Sequence, residues 1–448
     1  MDLQKLSAQL KRYRQTHIIE HIQGLSGNEK IVFIKNLAAM NFELVFQLYE
    51  QSSSNTAQKK SRTCQDIQPP VIISIDRHRE KPDKISLIGA SSISKGEIAV
   101  MIVAGGQGTR LAYPYPKRMY PISPVKEKSL FQIFSEKILS LSLKYNVKIP
   151  LLIMTNPDTD KETKEFFKNN GFFGIDERSV FFFCQDILPS LTFDRKLIIK
   201  DRTSILGNPD GHGGSLKAVW ESGLITKIED MGIKRVFYCH IDNPLVNVGD
   251  PVFLGCHITE GAEFSLKALR KRNPEEKVGH IVMADGKPMI IEYTEFPDDL
   301  KYKKDTCDNP LFWAGNIGIH FIETSFIKKL NQEGFVLPYH KQIKKMTGGE
   351  RDVWKFETFV FDALSFTDKI CCVETLREDE FAPLKNKEGN DSPSEVKKAM
   401  LGFYRKQLKN AGIKVSPGVN IEISPLCDMS TLTQKIQSKE IVEETYIE

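Results

Sequence analysis

Cysteine is scarce in this chain, with eight in 448 residues and no C-x-x-C pair among Cys64, Cys184, Cys239, Cys256, Cys307, Cys371, Cys372 and Cys427. That excludes a disulfide scaffold and a cysteine-ligated zinc site, and the cysteines read as reduced core residues. No stretch of about 18 uninterrupted apolar residues occurs, so no transmembrane helix is expected. Met1 to Arg14 lacks the apolar centre of a signal peptide, and the cytoplasm is the expected compartment. An excess of one charge sign is also missing. The 62 Lys and Arg against 58 Asp and Glu leave a net charge of +4. This balance gives no argument for nucleic acid or a membrane surface as partner. There is no internal repeat and no long low-complexity tract. What is present is 40% hydrophobic residues in a chain too long for one ordinary domain. A large central globular domain with additions is expected.

Apolar positions at helical spacing, such as Leu37, Met40, Leu44, Val45, Leu48 and Tyr49, predict two or three helices over residues 2–51, broken near Gly24 to Asn28. The polar stretch 51–65 reads as a linker, and 69–96 as a segment wrapping the main domain. From Glu97 the pattern becomes strand–helix alternation. Strands are predicted at 98–103, 151–155, 180–184, 235–240 and 264–269, and helices at 130–145, 158–170 and 214–223. Such alternation argues an α/β fold whose mixed, mostly parallel sheet carries helices on both faces. Ligands of these sheets sit beyond the carboxyl ends of the strands. Residues 278–293 read as a hairpin around Asp285-Gly286, and 312–322 as a further strand. Shorter elements follow at 360–365 and 370–375, then a helix from about 395 and a strand at 419–423. The expected divisions are 1–95, 96–390 and 391–448.

The most informative stretch is M-I-V-A-G-G-Q-G-T-R-L-A-Y-P-Y-P-K-R-M, residues 101–119. A buried strand empties into Gly105, Gly106 and Gly108, then Thr109 and Arg110. Glycines let a backbone approach a ligand closely, and successive N–H groups in such a loop make an anion site. Arg110 and Lys117 add positive charge suited to phosphate. On glycine content alone the loop is equally a tight turn with two surface cations. It is neither a Walker loop nor a dinucleotide fingerprint, because the lysine of the first and the third glycine of the second are missing.

Three further constellations fall in the same half of the chain. Asp210-Gly211-His212-Gly213-Gly214 opens a helix, and His212 can donate to a phosphate or sugar oxygen. Asp242 follows a strong apolar strand, where a carboxylate can hold Mg²⁺ or cap a turn. Glu292-Tyr293 closes the hairpin and Asn316 lies in W-A-G-N, both residue types that bind sugar hydroxyls and amides. Taken singly, each has an equally plain structural use.

Their order along the chain is specific. G-G-Q-G-T-R-L, P-K-x-M-Y, L-P-S-L-T-F-D, P-D-G-x-G-G, Y-C-x-x-D-N, E-Y-T-E, A-G-N-I, F-V-F-D, R-E-D-E-F-A-P-L-K-N and E-I-S-P-L follow one another over most of residues 30–425. This series resembles the eukaryotic-type UDP-N-acetylglucosamine pyrophosphorylases, within the UDP-sugar pyrophosphorylase family. The resemblance implies a Rossmann-like nucleotidyltransferase core with a helical N-terminal extension and a small C-terminal domain. It also implies a Mg²⁺-dependent uridylyltransferase that makes UDP-sugar and pyrophosphate from UTP and a hexose 1-phosphate. By the same resemblance Gly105, Gly106, Gly108, Thr109 and Arg110 would hold the UTP phosphates, and Gln185 and Gly211 the uracil edge. Lys117 and Lys385 would reach phosphate and Asp242 would hold Mg²⁺. Gly279, Glu292, Tyr293, Asn316, Phe359 and Phe361 would line the sugar pocket, beside His212.

Two residues depart from the family pattern. His212 stands where the family has Asn, and glucose-specific relatives carry His in their G-H-G loop. This leaves N-acetylglucosamine 1-phosphate and glucose 1-phosphate both open, the former favoured by the motif series. Arg118 replaces the Gly that follows Pro-Lys and adds bulk and charge beside Lys117. A non-catalytic UDP-sugar-binding protein and a purely structural chain are the readings from other classes. Retention of Arg110, Lys117 and Asp242 argues against the first, and the intact Gly105 loop against the second. Oligomeric state is not legible.

Overall fold

Six consecutive apolar residues suit a strand buried on both faces of a sheet. Residues 98–103 form such a strand in the structure, a computed structural model that describes residues 3–54, 66–75, 82–106, 111, 113, 115–345, 352–432, 436 and 440–448. The strands of the main sheet are β1 (Ile67–Gln68), β2 (Ile98–Val103), β3 (Leu151–Thr155), β4 (Val180–Cys184), β5 (Arg235–His240), β6 (Phe264–Arg270), β7 (His280–Ala284), β8 (Lys287–Ile291), β9 (Ala314–Glu323) and β10 (Ile370–Glu374). The order is β1-β7-β9-β5-β2-β3-β4, with β6 pairing β9 and β10, and β8 pairing β7. Pairing is parallel through β5-β2-β3-β4 and between β6 and β10, and antiparallel where β9 meets β5 and β6. The sheet is therefore mixed, with its parallel run on the side that carries the glycine loop.

Alternate residues of β2 face opposite cores. Ile98, Val100 and Ile102 join helix Leu130–Tyr145 and helix Pro251–Thr259 in one cluster, and Ala99, Met101 and Val103 join helix Gly214–Glu221 in the other. The strand ends are in step: Val103 pairs with Met154 and His240, and Thr155 with Cys184. The loops after β2, β4 and β5 thus leave the sheet at one edge, which is where a ligand of such a sheet binds.

The hairpin turns where expected. Asp285 and Gly286 both have positive φ, 51° and 79°, as a two-residue turn matching strand twist requires. The N-terminal part differs from expectation. It forms four helices, Leu3–Arg12, Thr16–Gln23, Gly27–Ala39 and Phe42–Ser54, because breaks at Tyr13 to Gln15 and at Met40-Asn41 add to the one near Gly24. Phe33, Leu37, Val45 and Phe46 from these helices pack on Leu188, Leu191, Leu197, Ile205 and Phe356. Among the described residues no single helix is long and apolar enough to cross a membrane. The cysteines also divide: Cys239, Cys256, Cys371, Cys372 and Cys427 are buried, but Cys184 and Cys307 are exposed, and Cys64 lies outside the described residues. Cys184 is the last residue of β4, on the strand face of Val180 and Phe182, and is exposed because it lies at the strand's end.

Candidate active site at the strand ends

The loop after β2 begins Ala104-Gly105-Gly106. The carbonyl of Gly105 accepts from Asn156 Nδ2 at 2.5 Å, and that of Gly106 from Arg118 Nη1 at 3.4 Å. Both carbonyls are thus turned inward onto buried side chains. Gly108, Thr109 and Arg110, predicted to hold phosphate, lie outside the described residues. A Cβ on Gly105 would come within 2.7 Å of the Gln185 amide, so glycine is what lets Gln185 seat against the loop. Gln185 is 3% exposed, and its Oε1 has no hydrogen-bond partner among the described residues. An orphaned buried acceptor costs about 1–3 kcal/mol, which a ligand N–H would recover.

The loop after β5 carries Asp242 to the same edge. Lys117, at the start of the short turn Lys117–Met119, donates from Nζ to Asp242 Oδ2 at 3.1 Å. Burial pushes the Asp242 carboxyl up, but the ammonium groups of Lys117 and Lys385 outweigh it and hold its pKa near 2, about 2 against the usual 3.8. Lys385 is brought there by main-chain stitching. Leu384 N–H donates to the Asp242 carbonyl at 2.7 Å. Asn243 donates to the Glu380 carbonyl at 2.6 Å and accepts from Ala382 N–H at 2.9 Å. Asn243 was legible only as part of Y-C-x-x-D-N, since nothing in a lone Asn predicts that it ties a segment about 140 residues away to the strand end.

Gly211 has φ of +91°, and a Cβ there would lie 2.3 Å from the Thr358 carbonyl. Only glycine fits both the conformation and the contact. The loop is pinned by Gly213 N–H donating to Thr358 O at 2.9 Å and Thr358 N–H to Asp210 O at 2.7 Å. His212 then stacks on Phe359 at 5.2 Å between ring centres, with Phe361 at 5.6 Å and His240 at 5.0 Å. Its Nδ1 accepts the Val360 N–H at 3.1 Å. Burial, reinforced by His240, holds its pKa well below the usual range, so the ring is neutral. A neutral ring that accepts at Nδ1 carries its proton on Nε2 and presents that N–H as a donor.

Phe359 and Phe361 stack at 5.1 Å, and His340 lies 4.6 Å from Phe359 while its Nε2 pairs with Asp362 Oδ2 at 2.8 Å. Neither phenylalanine is on a strand; Phe361 belongs to a 3-10 turn, Val360–Phe366. Across from them, Asn316 N–H donates to the Gly279 carbonyl at 2.9 Å. Glu292 Oε1 lies 3.3 Å from where a Gly279 Cβ would sit. Burial, then the Glu295 charge, raises the Glu292 carboxyl above its usual value. Tyr293 is half-buried, two residues past β8, and makes no hydrogen bond to this group among the described residues.

Gly105 and Gln185 thus meet just past the ends of β2 and β4, the charges of Lys117 and Asp242 act on His240 at the end of β5, and ring contacts run from His240 through His212 and Phe359 to His340, with Gly279, Glu292 and Asn316 grouped together. Sequence reading gave no role to His240, His340, Asn156 or Asn243. Arg118, expected to add bulk and charge beside Lys117, is buried. It is 1% exposed, held at about 10 by burial, and turned under the glycine loop. Its Nε and Nη2 have no partner among the described residues.

Mg²⁺ can be tested against this arrangement. Among the described residues no three His, Cys, Asp or Glu side chains converge as a metal cage. Asp242 is one ionised carboxylate whose Oδ1 carries no hydrogen bond among the described residues. That fits an ion which takes one or two carboxylates and draws its remaining ligands from phosphate and water.

A family model described as UTP–glucose-1-phosphate uridylyltransferase matches residues 39–438. The chain is 33% identical over 446 residues to a Dictyostelium discoideum protein named probable UDP-N-acetylglucosamine pyrophosphorylase, covering 93% of this chain and 91% of that one. It is 35% identical over 393 residues to the Saccharomyces cerevisiae UDP-N-acetylglucosamine pyrophosphorylase, covering 83% and 82%. The crystal structure of the uridine diphosphate N-acetylglucosamine pyrophosphorylase from Trypanosoma brucei in complex with inhibitor superposes with a TM-score of 0.84, at 26% identity, covering 100% of this chain and 98% of that one.

Proposed function

This chain belongs to the UTP–glucose-1-phosphate uridylyltransferase family, and from that membership we propose that it joins UTP to a hexose 1-phosphate, releasing pyrophosphate and UDP-sugar. The observation that carries the reading is the Lys117–Asp242 pair, 3.1 Å apart at the edge where the parallel strands end. Gly105 and Gln185 leave the ends of β2 and β4 at the same edge, and the His212–Phe359 stack reaches it through His240.

In the reaction an oxygen of the sugar phosphate attacks the α-phosphorus of UTP. The new P–O bond forms as the bond to the bridging oxygen of the β-phosphate breaks, and the electron pair leaves with pyrophosphate. The nucleophile is already an anion, so no general base is required. The protein's task is to align the two phosphates and meet the growing charge. Lys117 and Lys385 supply that charge. Mg²⁺ bound by Asp242 would neutralise phosphate oxygens. Gln185 is the residue proposed to read uracil, because its orphaned Oε1 can accept from N3–H. Gln185→Ala is expected to narrow the preference for UTP over CTP by about tenfold or more, from the 1–3 kcal/mol of one unmade buried bond. Relative kcat/KM for the two nucleotides checks it, and equal discrimination in both proteins would move base reading to the main chain.

N-acetylglucosamine 1-phosphate is the sugar we favour, on the names of the relatives at 33–35% identity. His212 is compatible with it. Its Nε2–H can serve where an amide N–H would, and its bulk is taken up in stacking on Phe359. Glucose 1-phosphate is the second reading, supported by the same His. Pyrophosphate release from UTP with each sugar phosphate, beside a UDP-sugar binding titration, separates catalysis from binding alone. His212→Asn is expected to shift the kcat/KM ratio towards the acetylated sugar. A ratio that stays put would remove His212 from sugar choice, and a wild type active only on glucose 1-phosphate would reverse the favoured substrate.

A further inference from the structure

E-I-S-P-L, residues 422–426, belongs to the motif series yet touches none of the groups above. Its Glu422 is 1% exposed and lies on strand Ile421–Ile423, which pairs in parallel with Thr445–Ile447 in a register that sets Glu422 beside Tyr446. Both side chains reach the loop that follows the Lys117 turn. Glu422 Oε2 accepts the N–H groups of Val125 at 2.9 Å and Lys126 at 2.8 Å. Tyr446 Oη accepts from Lys128 Nζ at 2.7 Å, and the same ammonium donates to Glu136 at 2.6 Å. Lys126 and Lys128 also lie over the Tyr446 ring at 4.9 and 4.8 Å. The loop itself is closed by Ile122 N–H to Lys128 O at 2.9 Å and Lys128 N–H to Ser123 Oγ at 2.8 Å. Loop 121–129 is thus a tight ring gripped from outside, and its first residue is four positions after Lys117.

We propose that Glu422 and Tyr446 are positioning residues for Lys117, a latch by which the C-terminal strands set the register of the loop behind it. This rests on the uridylyltransferase reading. A carboxylate buried this deeply is tolerated because two main-chain N–H groups satisfy it, and the same bonds fix those amides in space. A displacement of about 1 Å in a group that meets transition-state charge can cost about 10²-fold in rate.

Glu422→Ala is expected to lower kcat by about 10²-fold while the UTP dissociation constant changes little. Glu422→Gln keeps an oxygen able to accept both N–H groups and is expected to restore most of the turnover. Tyr446→Phe, which removes one hydroxyl and keeps the ring, is expected to lower kcat less than Glu422→Ala; it decides the matter if Glu422→Ala fails to fold. Hydrogen exchange gives a readout free of activity, with faster exchange expected at Val125, Lys126 and the Lys117 turn in Glu422→Ala or, failing that, in Tyr446→Phe. Unchanged kcat in folded variants overturns the latch, as does a parallel loss of kcat and UTP affinity or unchanged exchange over 117–129. If wild type releases no pyrophosphate with either sugar phosphate, the functional reading fails instead, and exchange alone then decides the latch.

Discussion

Lys117→Ala is expected to lower kcat by about 10²–10³-fold, the usual cost of losing one donor aimed at charge that develops in the transition state. The UTP dissociation constant should change little. Lys117 sits at the strand edge with its ammonium on Asp242, 14% exposed, so it is held in place without being sealed from a ligand. In the ground state the negative charge it would meet is spread over UTP and the sugar phosphate. As the bond to the β-phosphate stretches, charge collects on the departing oxygens, and there a fixed ammonium gains most. Gly105 and Gln185, the pair proposed to hold the base, are not touched by the substitution. Pyrophosphate release under saturating substrates, with calorimetric titration of UTP, checks both halves. An unchanged kcat would remove Lys117 from the reaction, whereas an equal loss in kcat and affinity would make it a ground-state phosphate contact.

Asp242→Asn is expected to raise the Mg²⁺ concentration for half-maximal activity by more than about 100-fold, since loss of an outer partner of a metal ligand alone costs 10–100-fold. The amide is isosteric and can still accept from Lys117, so the fold should persist. The effect should also be independent of pH from 5 to 9. Asp242 has a depressed folded pKa of about 2, so its contribution to stability is present above the usual 3.8 and is lost only as pH falls towards 2. Between pH 5 and 9 it is ionised both folded and unfolded. A Mg²⁺ titration of activity at several pH values checks this. A variant curve that overlays wild type would leave Asp242 as a counter-charge for Lys117 and Lys385.

Asp242 was picked out in the sequence because it follows a run whose apolar pattern marks a strand, and strand ends are where such sheets bind, whereas Lys117 was picked out as a cation beyond the glycine loop, in the Pro-Lys pair of the family resemblance. Gly211 was visible as part of a glycine-rich loop opening a helix, but its assignment to the uracil edge, like that of Gln185, came from family resemblance, and no local pattern marks Gln185. Gln185 acquires meaning only when its amide is found where a Gly105 Cβ would be. The residues proposed to line the sugar pocket share this dependence. Phe361 read as part of a short element at 360–365 and Phe359 only as part of F-V-F-D, but a 3-10 turn and the stack with His212 and His340 set both in one aromatic wall. Arg118 read as added bulk and charge beside Lys117, and only the fold shows that it is buried under the glycine loop.

By itself the sequence determined the parallel strands around Ile98–Val103, the hairpin at Asp285-Gly286, the long helices beside them and the edge of the sheet that carries Asp242. Those features rest on period, turn chemistry and apolar run length, all of which are local. Tertiary structure decided the rest. It set four N-terminal helices on Leu188 and Phe356, folded Tyr339–Lys344 against Val353–Thr358, and brought Lys385 beside Asp242 through Leu384. It also placed Glu422 on a loop nearly 300 residues earlier in the chain. Each of these depends on a partner distant in sequence, and strands of two to six residues are too short for periodicity to name that partner.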